Sequence, residues 1–309
     1  LTSDCYHFIY ALGNAPATID AAKFFKMRLE QESKGTLSCD IYTDNVLGSE
    51  RELLEGCQFG NYDIVLATNA TVASFENDIF CLDIPWLFDN KQQVYEVLDG
   101  PLGDRLADGL EESGFKLLQW QENGFRTLST NKPINDMSDL KGVKIRIMEN
   151  ELQLQQWKDY GANPTPMAFT ELFTALQQKT VDAQDNGAEL TWQTKFYEVQ
   201  SHYTYTKHIY SPYLILMSKD KFDGLTPEQQ EIVLKVSDEA VAYERQRCDE
   251  YEQTALDNIK NCGTMQYSDL TPEVKAEMVK ACKNIKELAY KKVTDPSVEV
   301  GGQAVLGRQ

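Results

Sequence analysis

The chain has 309 residues, with 30 Lys and Arg against 48 Asp and Glu, a net charge of −18. That balance excludes a nucleic-acid binder, which needs clustered Lys and Arg, and docking onto an anionic membrane surface. It does not exclude an anionic ligand: charge fields are screened within about 8 Å in physiological salt, so a local arginine pocket can prevail.

The length allows two lobes with a sizeable core in each. The fractions of 42% apolar and 25% charged residues are ordinary for a globular protein. No apolar stretch approaches the roughly 20 residues of a membrane helix. No leader pattern stands at Leu1, as in a mature or never-exported chain. Tyr6 to Ala11 reads as a first strand, and Thr18 to Lys34 as a helix with Ala21, Phe25 and Leu29 on one side. Leu37, Cys39 and Ile41 alternate with polar residues, a second strand. Ser49 with Glu52 forms a capping box that opens a helix through Leu53, Leu54 and Cys57. Asp63 to Thr68 is a third strand.

A second βα series follows Gln121. Val143, Ile145 and Ile147 alternate with polar positions, which puts Arg146 on the opposite strand face. Helices are expected over Glu151 to Tyr160 and Thr170 to Lys179, with Pro164 and Pro166 breaking regular structure between them. Short strands are expected at Val181 to Gln184 and Tyr213 to Met217. From Pro227 to Asn261 there is no further Gly or Pro. Thr226 is placed as N-cap, Pro227 at the first helical position and Cys262-Gly263 as the stop. Such a helix is about 54 Å long, longer than a small domain is wide, and is expected to run across both lobes. The tail from Asp295, with Gly301, Gly302 and Gly307, is expected to be loosely ordered.

The seven cysteines show no C-x-x-C pair and no adjacent histidines, so no zinc site is expected. Buried free thiols acting as small apolar residues are the favoured reading; a Cys5–Cys39 disulfide is the alternative. No G-x-S-x-G, P-loop, H-E-x-x-H or G-x-G-x-x-G motif is present. His7, His202 and His208 are read as structural or surface groups. With 48 acids, chance carboxylate pairs say nothing of glycoside chemistry. No enzyme, cofactor or metal is expected.

The stretch Leu47-Gly48-Ser49-Glu50-Arg51-Glu52-Leu53-Leu54-Glu55-Gly56 resembles the signature of the TRAP-transporter solute-binding proteins, the DctP-type family. So do Asn123-Gly124-Phe125-Arg126, Asp139 to Arg146, Pro164 to Phe169, Gln184-Asp185-Asn186 and Lys195 to Gln200, in the family's order. The resemblance implies an α/β chain with a type II periplasmic-binding-protein fold: two lobes with a ligand cleft between them and a long helix spanning both. The lobes are expected at 1–123 with 212–251, and at 124–211 with 252–309.

The implied function is that of an extracytoplasmic receptor, free in a periplasm or lipid-anchored. It binds a small organic acid, a sugar acid or uronate or a C4-dicarboxylate, and delivers it to an ion-gradient-driven membrane permease. A monomer is the default. A sensory ligand-binding protein and a carboxylate-processing enzyme on the same scaffold are the alternatives.

The resemblance places Arg146 on the ligand carboxylate, where its planar fork matches two parallel hydrogen bonds; from the residues alone, an ion pair with Glu149 is equally open. Arg126 is implied as a second donor, otherwise a solvated arginine at a strand end. Asn186 is implied as an amide donor, otherwise a turn residue. The family more often has Glu-Asn-Pro where this chain has Asp185-Asn186-Gly187. Phe169 is implied as an aromatic wall, otherwise core packing. Glu50 and Thr68 are implied to read the distal part of the ligand; Glu50 alternatively only stabilises its helix N-terminus. Some family members carry an acid where Thr68 stands. Trp192 and Tyr210 are further candidates for an apolar wall.

Overall fold

The computed structural model describes residues 6–298. The chain packs as two compact units. The first comprises residues 6–68, Asp104–Glu122 and Pro212–Tyr251; the second comprises Asn69–Gly103, Asn123–Ser211 and residues 252–298.

The first unit holds strands β1 (Tyr6–Ala11), β2 (Leu37–Tyr42), β3 (Ile64–Thr68), β4 (Phe115–Gln121) and, late in the chain, β10 (Tyr213–Ser218). Their order is β2-β1-β3-β10-β4. β1 runs parallel to β2 and β3, while β10 is antiparallel to β3 and β4. The core joins Phe8, Phe25, Leu37, Ile64, Ile215 and Val236 in one apolar cluster, the main stabilising term of such a unit.

The second unit holds β5 (Phe125–Thr130), β6 (Lys144–Ile147), β7 (Asn163–Pro166), β8 (Ala183–Asn186), β9 (His202–Tyr210) and β11 (Gln266–Asp269). Their order is β11-β9-β5-β8-β6-β7. β8, β6 and β7 are parallel, and β5 is antiparallel to both β8 and β9.

Pro164 and Pro166 do not break the structure as expected; they lie inside β7, at the sheet edge. The Asn163 N–H donates to Val143 O and the Met167 N–H to Ile147 O. Alternation therefore turns positions 164 and 166 outward, where a missing N–H leaves nothing unmade. Residues 69–103, expected in the first lobe, group with the second unit. There Asn150 Nδ2 donates to Ala70 O and to Asp83 Oδ2, and the Trp86 N–H to His208 O.

The long helix spans Pro227–Asn261, 35 residues or about 52 Å. Thr226 Oγ1 accepts from the Gln229 N–H, and Gln229 Oε1 from the Thr226 N–H, a reciprocal cap. Its Val233, Val236 and Ala240 belong to the first unit's core, while Ala255, Leu256 and Ile259 belong to a cluster of the second. The capping box at Ser49 and Glu52 is formed and opens the helix Glu50–Gln58.

No described helix is long and apolar enough to cross a membrane. The six described cysteines are not bonded to one another, and all but Cys262 are buried. Burial pushes the Cys39 thiol up to about 12, far from thiolate reactivity. Cys5, Gly301, Gly302 and Gly307 lie outside the described residues.

Candidate functional site

In the second unit, β6, β7 and β8 run parallel, so their carboxyl ends share one sheet edge; antiparallel β5 begins at that edge. The carboxyl edge of parallel strands is where open α/β sheets bind ligands. Four of the expected residues come from this edge. Arg126 is second in β5, Arg146 is in β6, Asn186 ends β8, and Phe169 opens the helix Phe169–Gln177 shortly after β7. Arg126, Arg146 and Asn186 are 2%, 3% and 3% exposed, so their charges and dipoles act in a low-dielectric setting.

Arg146 is fixed in two ways. Its Nε donates to Met167 O at 2.9 Å. Its guanidinium carbon stands 5.9 Å from the centre of the Phe169 ring, a cation–π contact. Phe169 also packs edge-on against Phe196, ring centres 6.2 Å apart. It thus packs against the core cluster of Leu172, Leu176 and Phe196.

Arg126 is held differently. Its Nε donates to Asp185 Oδ2 at 2.9 Å and its Nη2 to Asp185 Oδ1 at 3.1 Å, and also to Asp185 O. Its Nη1 donates to Asn186 Oδ1 at 3.2 Å and reaches Met148 Sδ at 3.7 Å. Asn186 Nδ2 in turn donates to Gln184 Oε1 at 2.6 Å. Asp185 Oδ2 also meets His208 Nε2 at 3.1 Å, and His208 Nδ1 lies 2.8 Å from Thr206 Oγ1. Burial alone would raise the Asp185 carboxyl; Arg126 and His208 beside it hold it well below the usual carboxylate range.

The Arg126–Asp185–His208 network was not anticipated from the sequence. Asp185 lies within a quoted string, but nothing local signals that it faces an arginine 59 positions away. Asp83 was missed too. Its signal is readable: an acid inside the apolar run Ile79-Phe80-Cys81-Leu82-Asp83-Ile84. It is fully buried, and desolvation, eased in part by the Asn150 amide, pushes its carboxyl up to about 7.

In the first unit, Glu50 opens its helix, and its Oε2 accepts from Thr68 Oγ1 at 2.7 Å and from the Thr68 N–H at 3.2 Å. Glu50 is therefore more than a dipole partner for its own helix: it joins that helix to the end of β3. The histidines are structural or superficial. His208 is wholly buried, His202 lies beside Ser201, and half-exposed His7 pairs with Asp40 at 2.8 Å. Trp192 stacks on Tyr197 and Tyr210 packs on Phe125.

The family model described as bacterial extracellular solute-binding protein, family 7 (DctP), matches residues 10–292. The chain is 34% identical over 271 residues to the 2,3-diketo-L-gulonate-binding periplasmic protein YiaO of Escherichia coli K12, covering 87% of this chain and 83% of that protein. A similar solved structure is the sugar acid binding protein DctPAm of Advenella mimigardefordensis in complex with galactonate, with a TM-score of 0.94, 30% identity and 99% of each chain covered. Another is a TRAP periplasmic solute binding protein of Sulfurospirillum deleyianum with bound succinate, with a TM-score of 0.90, 30% identity, and 97% and 99% covered.

Proposed function

Because the chain belongs to the bacterial extracellular solute-binding proteins of family 7, the receptors of TRAP transporters, we propose that it captures a hydroxylated organic acid outside the cytoplasm and delivers it, chemically unchanged, to an ion-gradient-driven membrane permease. The family is one of solute-binding proteins, not of enzymes, and two of its named relatives are periplasmic proteins. The observation that carries the reading is Arg146. A backbone carbonyl on Nε and an aromatic ring under the guanidinium fix the plane of its fork. A fixed plane is what two parallel hydrogen bonds to a carboxylate require.

Arg126 and Asn186 are assigned to the same carboxylate, with Asp185 holding the Arg126 fork in place. Phe169 is assigned to the wall. Glu50 and Thr68 are assigned to the hydroxylated part of the ligand: the acid accepts from hydroxyls and repels a second carboxylate. Two of the proteins compared are named for sugar acids and one was solved with succinate; the charge of Glu50 favours the sugar acid for this chain.

The test is a melting-temperature screen of refolded protein against galactonate, galacturonate, succinate and the corresponding amides. A ligand that binds only the folded state adds about 4 kcal/mol of stability at a thousandfold excess over its dissociation constant. A sugar acid is expected to stabilise, its amide not. Arg146→Ala is expected to cost about 2–5 kcal/mol of binding, because a desolvated charge loses its partner. Near-native affinity in that variant, with the fold intact, overturns the reading; a stronger response to succinate overturns the assignment of Glu50.

A further inference from the structure

A half-open groove of about 600 Å³ lies on the surface of the second unit, with walls from the Trp86–Asp89 segment, from β9 and from the helix Pro272–Ala281. That volume is in the range of small-molecule sites. Its aromatic wall is Trp86, Phe88 and Tyr205, and its cations are Lys207 and Lys275, with one acid, Asp89, beside them.

The two lysines stand on rings, not on acids. Lys207 Nζ is 4.5 Å from the centre of the Phe125 ring and 5.9 Å from that of Tyr205. Lys275 Nζ is 5.3 Å from the centre of the Trp86 ring. Among the described residues neither has an ion-pair partner, although the chain carries 48 acids against 30 bases. An aromatic face holds a lysine cation without neutralising its charge.

The backbone is shaped for this wall. Trp86 has φ 61° and Lys207 φ 48°, left-handed conformations that strain bulky residues and persist only where surroundings impose them. Trp86 is fixed by its N–H on His208 O at 2.9 Å and by its indole N–H on the Tyr160 hydroxyl at 3.3 Å. On β9 the partner across β5 jumps from Ile209 to Thr204, a bulge between them. The bulge sends His208 inward to Asp185 and Lys207 to the groove, the re-aiming that bulges provide.

We propose that this groove is a second ligand site of the protein, for an organic anion with a flat apolar face. The flat face meets the aromatic wall, and the charge meets Lys207 and Lys275. Naphthoate is the probe and naphthamide its neutral control. The readout is the indole N–H resonance of Trp86, identified among the four tryptophans by its disappearance in Trp86→Phe. A saturable shift with naphthoate is expected, and none with naphthamide. The double exchange Lys207→Gln and Lys275→Gln keeps both side-chain stems and is expected to weaken naphthoate about tenfold or more, the loss of roughly 1.4 kcal/mol, at unchanged melting temperature. Should the double variant fail to fold, Lys275→Gln alone, at an exposed helix position, is expected to weaken the probe measurably. Equal response to naphthamide, an unshifted Trp86 resonance at the solubility limit of naphthoate, or undiminished affinity in the folded lysine variant overturns the proposal.

Discussion

Asp185 and Asp83 are both buried in the second unit, each 1% exposed, yet they are held in opposite states. Asp185 meets a cationic fork at 2.9 and 3.1 Å and a histidine at 3.1 Å. Asp83 meets an amide, Asn150 Nδ2, at 3.0 Å. The Gln153 and Asn69 amides beside it ease the burial further, each less than Asn150 does. Arg126 acts on both carboxyls, in contact with Asp185 and only at longer range on Asp83. Burial raises both; only direct contact with a cation outweighs it. A buried acid beside the proposed ligand edge is thus a fixed anion or a titrating group according to one contact.

The sharpest way to break the comparison is Asp185→Ala. It strips Arg126 of its partner inside the protein, and an uncompensated buried charge costs about 3–5 kcal/mol. Urea unfolding at neutral pH measures it. A loss below about 1 kcal/mol, the size of an exposed pair, shows that Arg126 finds another counter-charge and that the contrast with Asp83 is not one of pairing.

Asp83→Asn sharpens the other side. Burial raises the carboxyl from its ordinary value of 3.8 to about 7, so the folded state holds its proton more tightly than the unfolded chain. The stability this contributes is fully present below about pH 4 and is lost as pH rises toward and through 7. Between about pH 5 and pH 8 the wild-type chain is therefore expected to lose roughly 2–3 kcal/mol that the asparagine variant keeps. Parallel unfolding midpoints for the two chains over that window show that Asp83 does not titrate there. The groups facing Asp83 are Arg126 from β5 and Cys81 from its own segment, and both remain in the variant.

The elements that were legible in the sequence are those whose pattern is local. β1 shows as an aromatic run, and the long helix has a cap, Pro227 and an unbroken apolar repeat. β5 escaped because all six of its residues are buried, Arg126, Thr127, Ser129 and Thr130 among them. With both faces covered, the alternation that marks a strand disappears. β7 was misread because its prolines are tolerated only by the outward turn of an edge strand, which no single segment reveals. For the site, Arg126, Arg146, Phe169 and Asn186 were named through resemblance, and the strand order brings their backbones to one edge. What Arg126 touches was not legible, since Asp185 and His208 stand 59 and 23 positions from their partners.

The smallest expected effect divides the Asp185 side of the comparison between its two partners. His208 sits edge-on to Trp157 and Trp86, ring centres 5.4 and 6.3 Å away, so His208→Phe keeps an aromatic ring in that packing and deletes the donor to Asp185. Arg126 still holds both carboxylate oxygens. The loss is therefore expected near the low end for a hydrogen bond to a charged group, about 1.5 kcal/mol, and it includes the stranded Thr206 hydroxyl. Combining His208→Phe with Asp185→Ala gives the coupling directly: residues in one network are expected to be non-additive by about 0.5–3 kcal/mol. If the two losses simply add, His208 acts on packing alone, and the low position of the Asp185 carboxyl belongs to Arg126. If the double variant loses less than the sum, His208 and Arg126 hold Asp185 together, and the network that positions the Arg126 fork extends to the strand bulge on which Lys207 stands.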